Sequence, residues 1–439
     1  MSRITLTFWG LCALLTILWL AADPVIFGSH PLAQVQNSFI NYTGIVAMGT
    51  MAVSLLLALR SVRLEPHVGG LDKSYRLHKW LGVAALGMVL AHWLWINTPS
   101  WLAAAGVIAP PPRRSRGAPS GPALLHTLQG PARGIGSWCF YAAVILLVLA
   151  LVKWFPYRRF IQTHRLLAIV YLPLVFHSVV LLKTSYWKQP IAYLIAALMA
   201  AGTVAAIYIL FRRVGRTRQA VGQIERITEH QDGRIVAVTI CLKDRWPGHD
   251  AGQFAFVKFD GEEPHPFTIS SGWKDDGLMT FVIKGLGDYT AALPTRLQPG
   301  SLVTVEGPYG RFNFGGNERR QIWVSAGIGI TPFISRMQHL AMHPDGKVVD
   351  LFHATGAGDV RINADLWRLV HAAKVNLHVW VSPEQGLLTA DHICRAVPEW
   401  KEAAFWFCGP VDFGKTLRED LTNAGLPKQA FHQELFHFR

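Results

Sequence analysis

The chain has 439 residues, of which 51% are hydrophobic and 16% are charged, whereas about 25% of residues are charged in an average soluble domain. The mean hydropathy is +0.26. This composition excludes a wholly soluble, a disordered or a collagen-like protein.

The formal net charge of +14 would by itself suggest nucleic-acid binding. However, residues 1–215 carry 18 Lys and Arg against three acids, whereas the remainder carries 24 against 25. The excess positive charge therefore lies in the hydrophobic half, which indicates a lipid bilayer and not a nucleic acid. The five cysteines show no CxxC spacing, so neither a zinc site, an iron–sulfur cluster nor a disulfide scaffold is predicted.

Six apolar segments precede residue 215, and each is close to the roughly 20 residues that a helix needs to cross a bilayer. They cover about residues 4–22, 39–59, 77–96, 136–155, 164–182 and 190–211. The first resembles a signal peptide, with Arg3 before an apolar stretch, but five further spans follow it. With the N-terminus inside, the inner connections hold 14 Lys and Arg and the outer connections six, although an Arg cluster in the Pro-rich loop 97–135 opposes this orientation. The positive-inside rule thus predicts a multi-pass protein of the cytoplasmic (inner) membrane, whose N-terminus and later domains are cytoplasmic.

The pattern changes after Arg218. Short alternating runs over residues 221–313, broken by Gly, Pro and Asp, predict antiparallel strands that form a small barrel. From residue 320, strand, glycine turn and helix alternate, which predicts a parallel α/β sheet. We therefore expect an all-α six-helix transmembrane bundle over residues 1–215, an antiparallel β-barrel over 216–316 and an α/β parallel-sheet nucleotide-binding domain over 317–439.

Four histidines lie within the predicted spans, where a polar side chain is costly and usually functional. His78 and His92 are on the third span, and His164 and His177 are on the fifth. The spacings of 14 and 13 residues separate the members of each pair by roughly 20 Å along a helix. Two adjacent helices would thus present His78 opposite His164 and His92 opposite His177, as two stacked haems with imidazole ligands require.

The angular spacing fits this arrangement only in part. At about 100° per residue, 14 steps return within about 40° of the starting face, but 13 steps miss it by about 140°. Pro173 lies between His164 and His177, and a kink there would re-aim the second ligand. A proton relay or a structural polar cluster is the alternative interpretation of these four histidines.

Four short segments of the later domains have the composition of nucleotide-binding loops. One follows a strand and places an aromatic ring and hydroxyl groups together, and a second precedes a helix whose N–H groups suit a pyrophosphate. The third lies where a strand feeds a helix, and the fourth ends a later strand, although neither has the full GxGxxG spacing. In chain order their residues are His265, Pro266, Phe267, Thr268 and Ser270; Gly287, Asp288, Tyr289 and Thr290; Gly327, Gly329, Thr331 and Pro332; and Cys408, Gly409 and Pro410.

Taken together, these features resemble the NADPH oxidase and ferric reductase superfamily, in which a six-helix haem-binding membrane domain is joined to a ferredoxin-NADP reductase-like module. The resemblance covers nearly the whole chain. It implies that His78, His92, His164 and His177 hold two haem b groups. It further implies that the first two of the four segments bind FAD, and that the last two bind NAD(P)H.

The resemblance also implies a set of residues around the path of hydride transfer. The ending Glu434-Leu435-Phe436 is similar to the reductase ending in which an acid precedes an aromatic residue that covers the flavin. Phe436 would then lie over the isoalloxazine, with Thr268, Cys408 and Glu434 around the hydride path. Three residues follow Phe436, so its displacement by nicotinamide is left open. The 2′-phosphate of NADPH would need an Arg near the end of the second strand of the last domain, and Arg361 is the nearest guanidinium to that point. The sequence slightly favours NADH over NADPH.

The function predicted from this resemblance is transmembrane electron transfer from cytoplasmic NAD(P)H, through FAD and two haems, to an acceptor on the outer face. Dioxygen and a ferric chelate are the two candidate acceptors, and the cluster Arg113, Arg114 and Arg116 would suit an anionic chelate. Two alternatives remain open: a transporter or proton channel with a regulatory nucleotide-binding module, and a membrane-anchored flavin reductase without haem. No nucleic acid and no obligate protein partner is indicated.

Overall fold

The computed structural model describes residues 3–108, 123–152, 154–230, 234–259, 263–356 and 360–434. The chain divides into two compact units, of which the first covers residues 1–214 and the second begins at Gly215. The second unit contains two sheets, so the domain boundary predicted at 316 lies between the last strand of one sheet and the first strand of the other.

Within the residues that the structure describes, the first unit contains six helices that are long and apolar enough to cross a bilayer, as the sequence predicts. They are α1 (Arg3–Ala22), α2 (Leu32–Ala58), α3 (Leu71–Ala104), α4 (Ala123–Leu151), α5 (Tyr157–Leu181) and α6 (Pro190–Leu210). With 34 residues, α3 is about 50 Å long and exceeds the roughly 30 Å of a hydrocarbon core. Because hydropathy marks only the apolar part of such a helix, the predicted loop 97–135 is wrong at both ends, where the described residues are helical.

The helices pair unequally. Helix α3 packs chiefly against α2 and α5 against α4, whereas α3 and α5 have almost no direct backbone contact. The buried core of the unit involves α1, α2, α5 and α6, with Trp19 and Ile195 among its members. The space between α3 and α5 is thus bridged by side chains and not closed by backbone packing.

A buried carboxylate ties three segments at one end of the bundle. Asp23 is 2% exposed and accepts hydrogen bonds from Ser38, from Lys183 Nζ at 2.9 Å and from the Tyr186 hydroxyl at 2.5 Å. Burial alone would raise the pKa of this carboxyl, but the three hydrogen bonds and the charge of Lys183 hold the pKa below its ordinary value. The cluster fixes the end of α1 to α2 and to the α5–α6 connection.

The first sheet of the second unit is antiparallel and has six strands. They are β1 (Gln219–His230), β2 (Ile235–Leu242), β3 (Phe254–Phe259), β4 (His265–Thr268), β5 (Leu278–Lys284) and β6 (Leu302–Tyr309), in the order β4-β3-β6-β1-β2-β5. Strict alternation buries Met279, Phe281 and Ile283 of β5. The edges of the sheet meet at an isolated bridge between Ile269 and Phe281, so the predicted barrel curls round to this bridge and is not closed along its length.

The second sheet is parallel, as predicted, and has the order β11-β10-β7-β8-β9. Its strands are β7 (Arg320–Ala326), β8 (Val348–Thr355), β9 (Asn376–Val381), β10 (Ala404–Cys408) and β11 (Phe431–Gln433). The helices of the second unit with seven or more residues are α7 (Asp288–Arg296), α8 (Thr331–Met342), α9 (Val360–Ala373), α10 (Ala390–Ala396) and α11 (Val411–Asn423). Helix α8 follows β7 after the short 3-10 turn Gly327–Ile330, and α11 follows β10 after Gly409 and Pro410, so both begin at the carboxyl edge of the sheet, where ligands bind in such folds.

Candidate functional site

The four histidines of the membrane helices form two pairs across the space between α3 and α5. The rings of His78 and His164 have centres 5.7 Å apart, and their Nε2 atoms are 3.4 Å apart. The rings of His92 and His177 have centres 6.4 Å apart. The 13-residue spacing on α5, which contains Pro173, thus does not prevent either pair from forming.

Backbone carbonyls fix the proton position in three of the four imidazoles. His78 Nδ1 lies 2.9 Å from Ser54 O, His92 Nδ1 lies 2.9 Å from Ile40 O, and His177 Nδ1 lies 2.8 Å from Ala132 O. A carbonyl oxygen accepts only, so each Nδ1 carries the proton and each Nε2 keeps its lone pair. This is the tautomer that a metal-ligating histidine uses when its other nitrogen is hydrogen-bonded to a carbonyl.

The geometry of both pairs fits a shared metal ion. Two metal–nitrogen bonds of about 2.0 Å, with about 1.1 Å from each nitrogen to its ring centre, place the ring centres about 6.2 Å apart. The observed separations of 5.7 and 6.4 Å lie on either side of that value. The Nε2 atoms of His78 and His164, which are 3.4 Å apart, would have to separate to about 4.0 Å around a metal. Among the described residues no group of three or more His, Cys, Asp or Glu is placed around one point, so a site of the structural-zinc type is not present there. Paired imidazoles in a gap between helices fit a haem with two axial histidines.

A glycine allows α4 to approach His177 closely. A methyl group added at Gly136 would overlap Cε1 and Nδ1 of the His177 ring and would lie 3.2 Å from its Cγ. One turn earlier on the same helix, Ala132 supplies the carbonyl that holds His177 Nδ1. Helix α4 therefore orients His177, a role that the sequence did not predict. His126, which the sequence placed in an outer loop, is on the same helix with its Nε2 buried.

The proposed flavin segment lies on β4, beside an aromatic stack. The rings of His265 and Tyr289 are almost parallel, with centres 3.7 Å apart, and Phe267 lies 6.5 Å from His265. Strand β4 pairs with β3, which places Pro266 opposite Phe256 and Thr268 opposite Phe254. Ser270 is 2% exposed and its hydroxyl accepts a hydrogen bond from the N–H of Val282 at 3.2 Å, so this hydroxyl is engaged by the sheet.

The glycine turn before α7 is closed by a side chain. The Thr290 hydroxyl accepts hydrogen bonds from the N–H groups of Leu286 at 2.9 Å and Gly287 at 3.2 Å. The sequence assigned the N–H groups of this turn to a pyrophosphate, but these two are already satisfied within the turn.

The two predicted nicotinamide nucleotide segments are in contact. A methyl group at Gly329 would lie 2.7 Å from the carbonyl carbon of Cys408 and 3.1 Å from the N of Gly409, so only glycine fits there. Gly327 has φ of +53°, which also favours glycine, whereas Thr331 and Pro332 are buried at the start of α8. Gly329 thus serves the close approach of β7 and β10 at the carboxyl edge of the sheet.

A cavity of about 510 Å³ opens at this edge. Gly327 and Pro410 line it, as expected for nucleotide-binding residues, and so do residues that the sequence analysis did not single out. These include the ends of β8 and β9 and the exposed face of α11: Thr355, Gly356, Ser382, Thr389, Asp412, Thr416 and Asp420. Their position after successive parallel strands is the signal that would have identified them.

Three of the four residues predicted around the hydride path are brought near one another. Burial and then the negative charge of Glu434 raise the pKa of the Cys408 thiol, so these two side chains are close. A methyl group at Gly310 would lie 2.8 Å from Glu434 Oε1, which places this carboxyl beside the end of β6. Phe254 of β3 pairs with Thr268 of β4 on one side and with Tyr309, the last residue of β6, on the other. Strand β3 therefore connects Thr268 to the end of β6 where Glu434 lies. Phe436 lies outside the described residues.

A buried serine and histidine were not predicted. Ser325 Oγ and His353 Nδ1 are 2.8 Å apart, and both residues are in register with Cys408 across the parallel sheet. Burial lowers the pKa of His353 to about 4, so this imidazole is neutral at physiological pH.

Comparisons with known proteins agree with both halves of this description. Residues 43–175 match the family model described as "Ferric reductase like transmembrane component", a range that contains His78, His92 and His164 and ends two residues before His177. Residues 43–175 of the chain are therefore similar to a ferric reductase-like transmembrane component. The predicted resemblance to the ferric reductase and NADPH oxidase superfamily is confirmed at this level.

The chain is also similar to flavohemoproteins and to a ferredoxin reductase component. The chain is 30% identical over 203 residues to a flavohemoprotein of Xylella fastidiosa, covering 43% of this chain and 51% of that protein. It is 25% identical over 211 residues to the ferredoxin reductase component of the 3-ketosteroid-9-alpha-monooxygenase of Rhodococcus rhodochrous, covering 46% of this chain and 60% of that protein. The chain thus spans about half the length of the first of these relatives.

Among solved structures, the FAD/NAD binding domain of a nitric oxide dioxygenase from Vibrio cholerae is similar to 49% of this chain. The similarity covers 97% of that chain, at 17% identity and a TM-score of 0.43. The similarities to the flavohemoprotein and to the ferredoxin reductase component agree with the predicted enzyme class, an oxidoreductase.

Proposed function

We propose that the protein is a transmembrane oxidoreductase that takes electrons from cytoplasmic NAD(P)H and delivers them to an acceptor on the outer face, with FAD and two haem b groups as cofactors. The observation that carries the proposal is the pair of facing imidazoles at each of two depths in a bundle that shares its chain with a reductase module. A multi-pass location in the cytoplasmic membrane follows from the six spans and from the charge of their connections.

The four histidines would hold the haems, His78 with His164 toward the cytoplasm and His92 with His177 toward the outside. Haem and FAD, when bound, supply one-electron carriers and the conversion of a two-electron donor into one-electron transfers. The carbonyls of Ser54, Ile40 and Ala132 keep the Nε2 lone pairs available. With both imidazoles of a pair engaged, no position is left for an acceptor to coordinate, so it must be reduced without binding to the metal.

In the second unit, the residues of the carboxyl edge would position the dinucleotide and those of β4 the flavin. The stack of His265 and Tyr289 and the face of Phe267 suit a flat ring system. The Cys408 thiol stays protonated because burial and Glu434 raise its pKa, so it contacts nicotinamide as a neutral group. The cavity wall carries the carboxylates Asp412 and Asp420, which would repel a 2′-phosphate and thus favour NADH over NADPH.

The proposal is tested by anaerobic reduction of the purified full chain with NADH or NADPH, followed by addition of acceptor. Oxygen uptake with superoxide-dismutase-sensitive dye reduction, compared with ferric citrate reduction, identifies the acceptor as dioxygen or a ferric chelate. In His92→Ala both acceptor reactions are expected to be lost while an artificial dye is still reduced at the flavin. Acceptor reduction at the wild-type rate in His92→Ala would instead establish a membrane-anchored flavin reductase. Absence of any NAD(P)H oxidation would favour a transporter with a regulatory nucleotide-binding module.

A further inference from the structure

The four paired imidazoles do not have equal surroundings. In the His92–His177 pair both Nδ1 atoms donate to backbone carbonyls, and His92 Nδ1 is also 3.1 Å from the Thr43 hydroxyl. In the His78–His164 pair only His78 has such an acceptor, the carbonyl of Ser54.

His164 Nδ1 is buried and has no hydrogen-bond partner among the described residues. One helical turn earlier on α5, the ring of Phe160 stacks on the His164 imidazole, with centres 5.1 Å apart and an interplanar angle of 25°. The Nε2 atoms of His78 and His164 are 3.4 Å apart, and His78 Nε2 carries a lone pair because its Nδ1 is protonated. When both Nε2 atoms bind a metal, the proton of His164 must move to Nδ1, where nothing described accepts it.

An acceptor at Nδ1 raises the basicity of a ligating imidazole and so stabilises the more highly charged ferric state. A ligand without this acceptor stabilises the ferric state less, and the reduction potential of its iron is higher. We infer that the two haem sites of this protein are electronically unequal: the His78–His164 site has the higher midpoint potential, because His164 Nδ1 has no hydrogen-bond acceptor among the described residues. This inference rests on the proposed function, because it requires that haem binds at both pairs.

The first experiment is a spectroelectrochemical redox titration of the purified full chain, with low-temperature electron paramagnetic resonance of the oxidised form. We expect two resolved one-electron steps in the wild type. In His92→Ala, which removes a ligand of the second site, the step at lower potential is expected to disappear and the step at higher potential to remain. Loss of the higher step instead, or a single unresolved potential in the wild type, would overturn the inference.

The second experiment supplies the missing acceptor. A Phe160→Gln substitution places an amide oxygen one turn from His164, within reach of Nδ1. The higher midpoint potential is expected to shift toward the lower one, with a matching change in the low-spin ferric signal of that haem only. Phe160→Leu is the matched control, because it removes the ring without adding an acceptor, and it is expected to leave the two steps apart. An equal shift in both variants would show that the ring itself, and not the absent acceptor, sets the potential, which would contradict the inference.

These outcomes separate the inference from the proposed function. Purified protein without haem ends the proposed function and the inference together. Two bound haems with the lower step retained in His92→Ala refute only the assignment of the higher potential to the His78–His164 site and leave the electron-transfer function in place.

Discussion

Substitution of Gly136 by Ala tests whether α4 sets the orientation of His177. The added methyl group would overlap two atoms of the His177 ring, where ordinary contacts between heavy atoms are about 3.5–4.0 Å. The ring must therefore retreat by about 1 Å or more, or α4 and α5 must separate by a similar distance. Metal–ligand distances tolerate changes of only about 0.2 Å, so the second pair would no longer bind its metal. The first pair, roughly 20 Å away along the helices, would not be affected.

The assay is haem content per chain by pyridine haemochrome, which we expect to fall from two to one in Gly136→Ala. Gly134→Ala is the matched control, since a methyl group there has nothing within 4 Å and two residues place it on the opposite side of the helix. Both substitutions raise helix propensity by about 1 kcal/mol, so a difference between them does not come from the backbone. Two haems retained in Gly136→Ala, with an unchanged spectrum, would refute the role assigned to this glycine.

Three further predictions concern other parts of the chain. Gly329→Ala is expected to lower kcat/KM for NAD(P)H at least tenfold without changing haem content, because the methyl group would push the backbone of Cys408 away. Unchanged steady-state kinetics would contradict the contact between the segments that contain Gly329 and Cys408. Because the pKa of His353 is lowered to about 4, below the ordinary value of about 6.5, acid favours the unfolded state, which binds the proton first. Stability of the second unit should fall by about 1.4 kcal/mol per pH unit between pH 6.5 and 4, and denaturant titrations of His353→Asn should lose that slope. Asp23→Asn leaves Lys183 without its charged partner and should lower the free energy of unfolding by about 1–3 kcal/mol, seen as a lower Tm of the full chain. An unchanged Tm would show that the Asp23 cluster does not contribute to stability.

The histidine pairs were predictable because their signal is local and strong. Polar residues are rare at membrane depth, and the spacing along each helix fixes the separation of the two sites. The angular misfit on α5 did not decide the outcome, because both histidine pairs form although 13 residues separate His164 and His177.

The groups that orient the imidazoles were not predictable. Ser54, Ile40 and Ala132 act through backbone carbonyls, which every residue has, so no side chain marks them in the sequence. The same holds for Gly136, whose role depends on how closely α4 approaches α5. The ends of α3 and α4 were missed because both helices continue past the apolar core with polar residues.

In the second unit the alternation of apolar residues identified the antiparallel sheet, and the alternation of strand, glycine turn and helix identified the parallel sheet, whereas the loops could be predicted only in part. The glycine segments were recognised, but Thr290 satisfies two N–H groups that appeared available for a ligand. The cavity wall combines residues from β8, β9 and α11 that are far apart in sequence, so only the strand order brings them together.

The most direct test of the central claim is the haem content of the purified full chain, compared between the wild type and His164→Ala. The account predicts two haems per chain in the wild type, with spectra typical of two axial imidazoles, and a loss of haem on substitution. A wild-type protein that contains no haem, or a His164→Ala variant that keeps two haems with an unchanged spectrum, would contradict it.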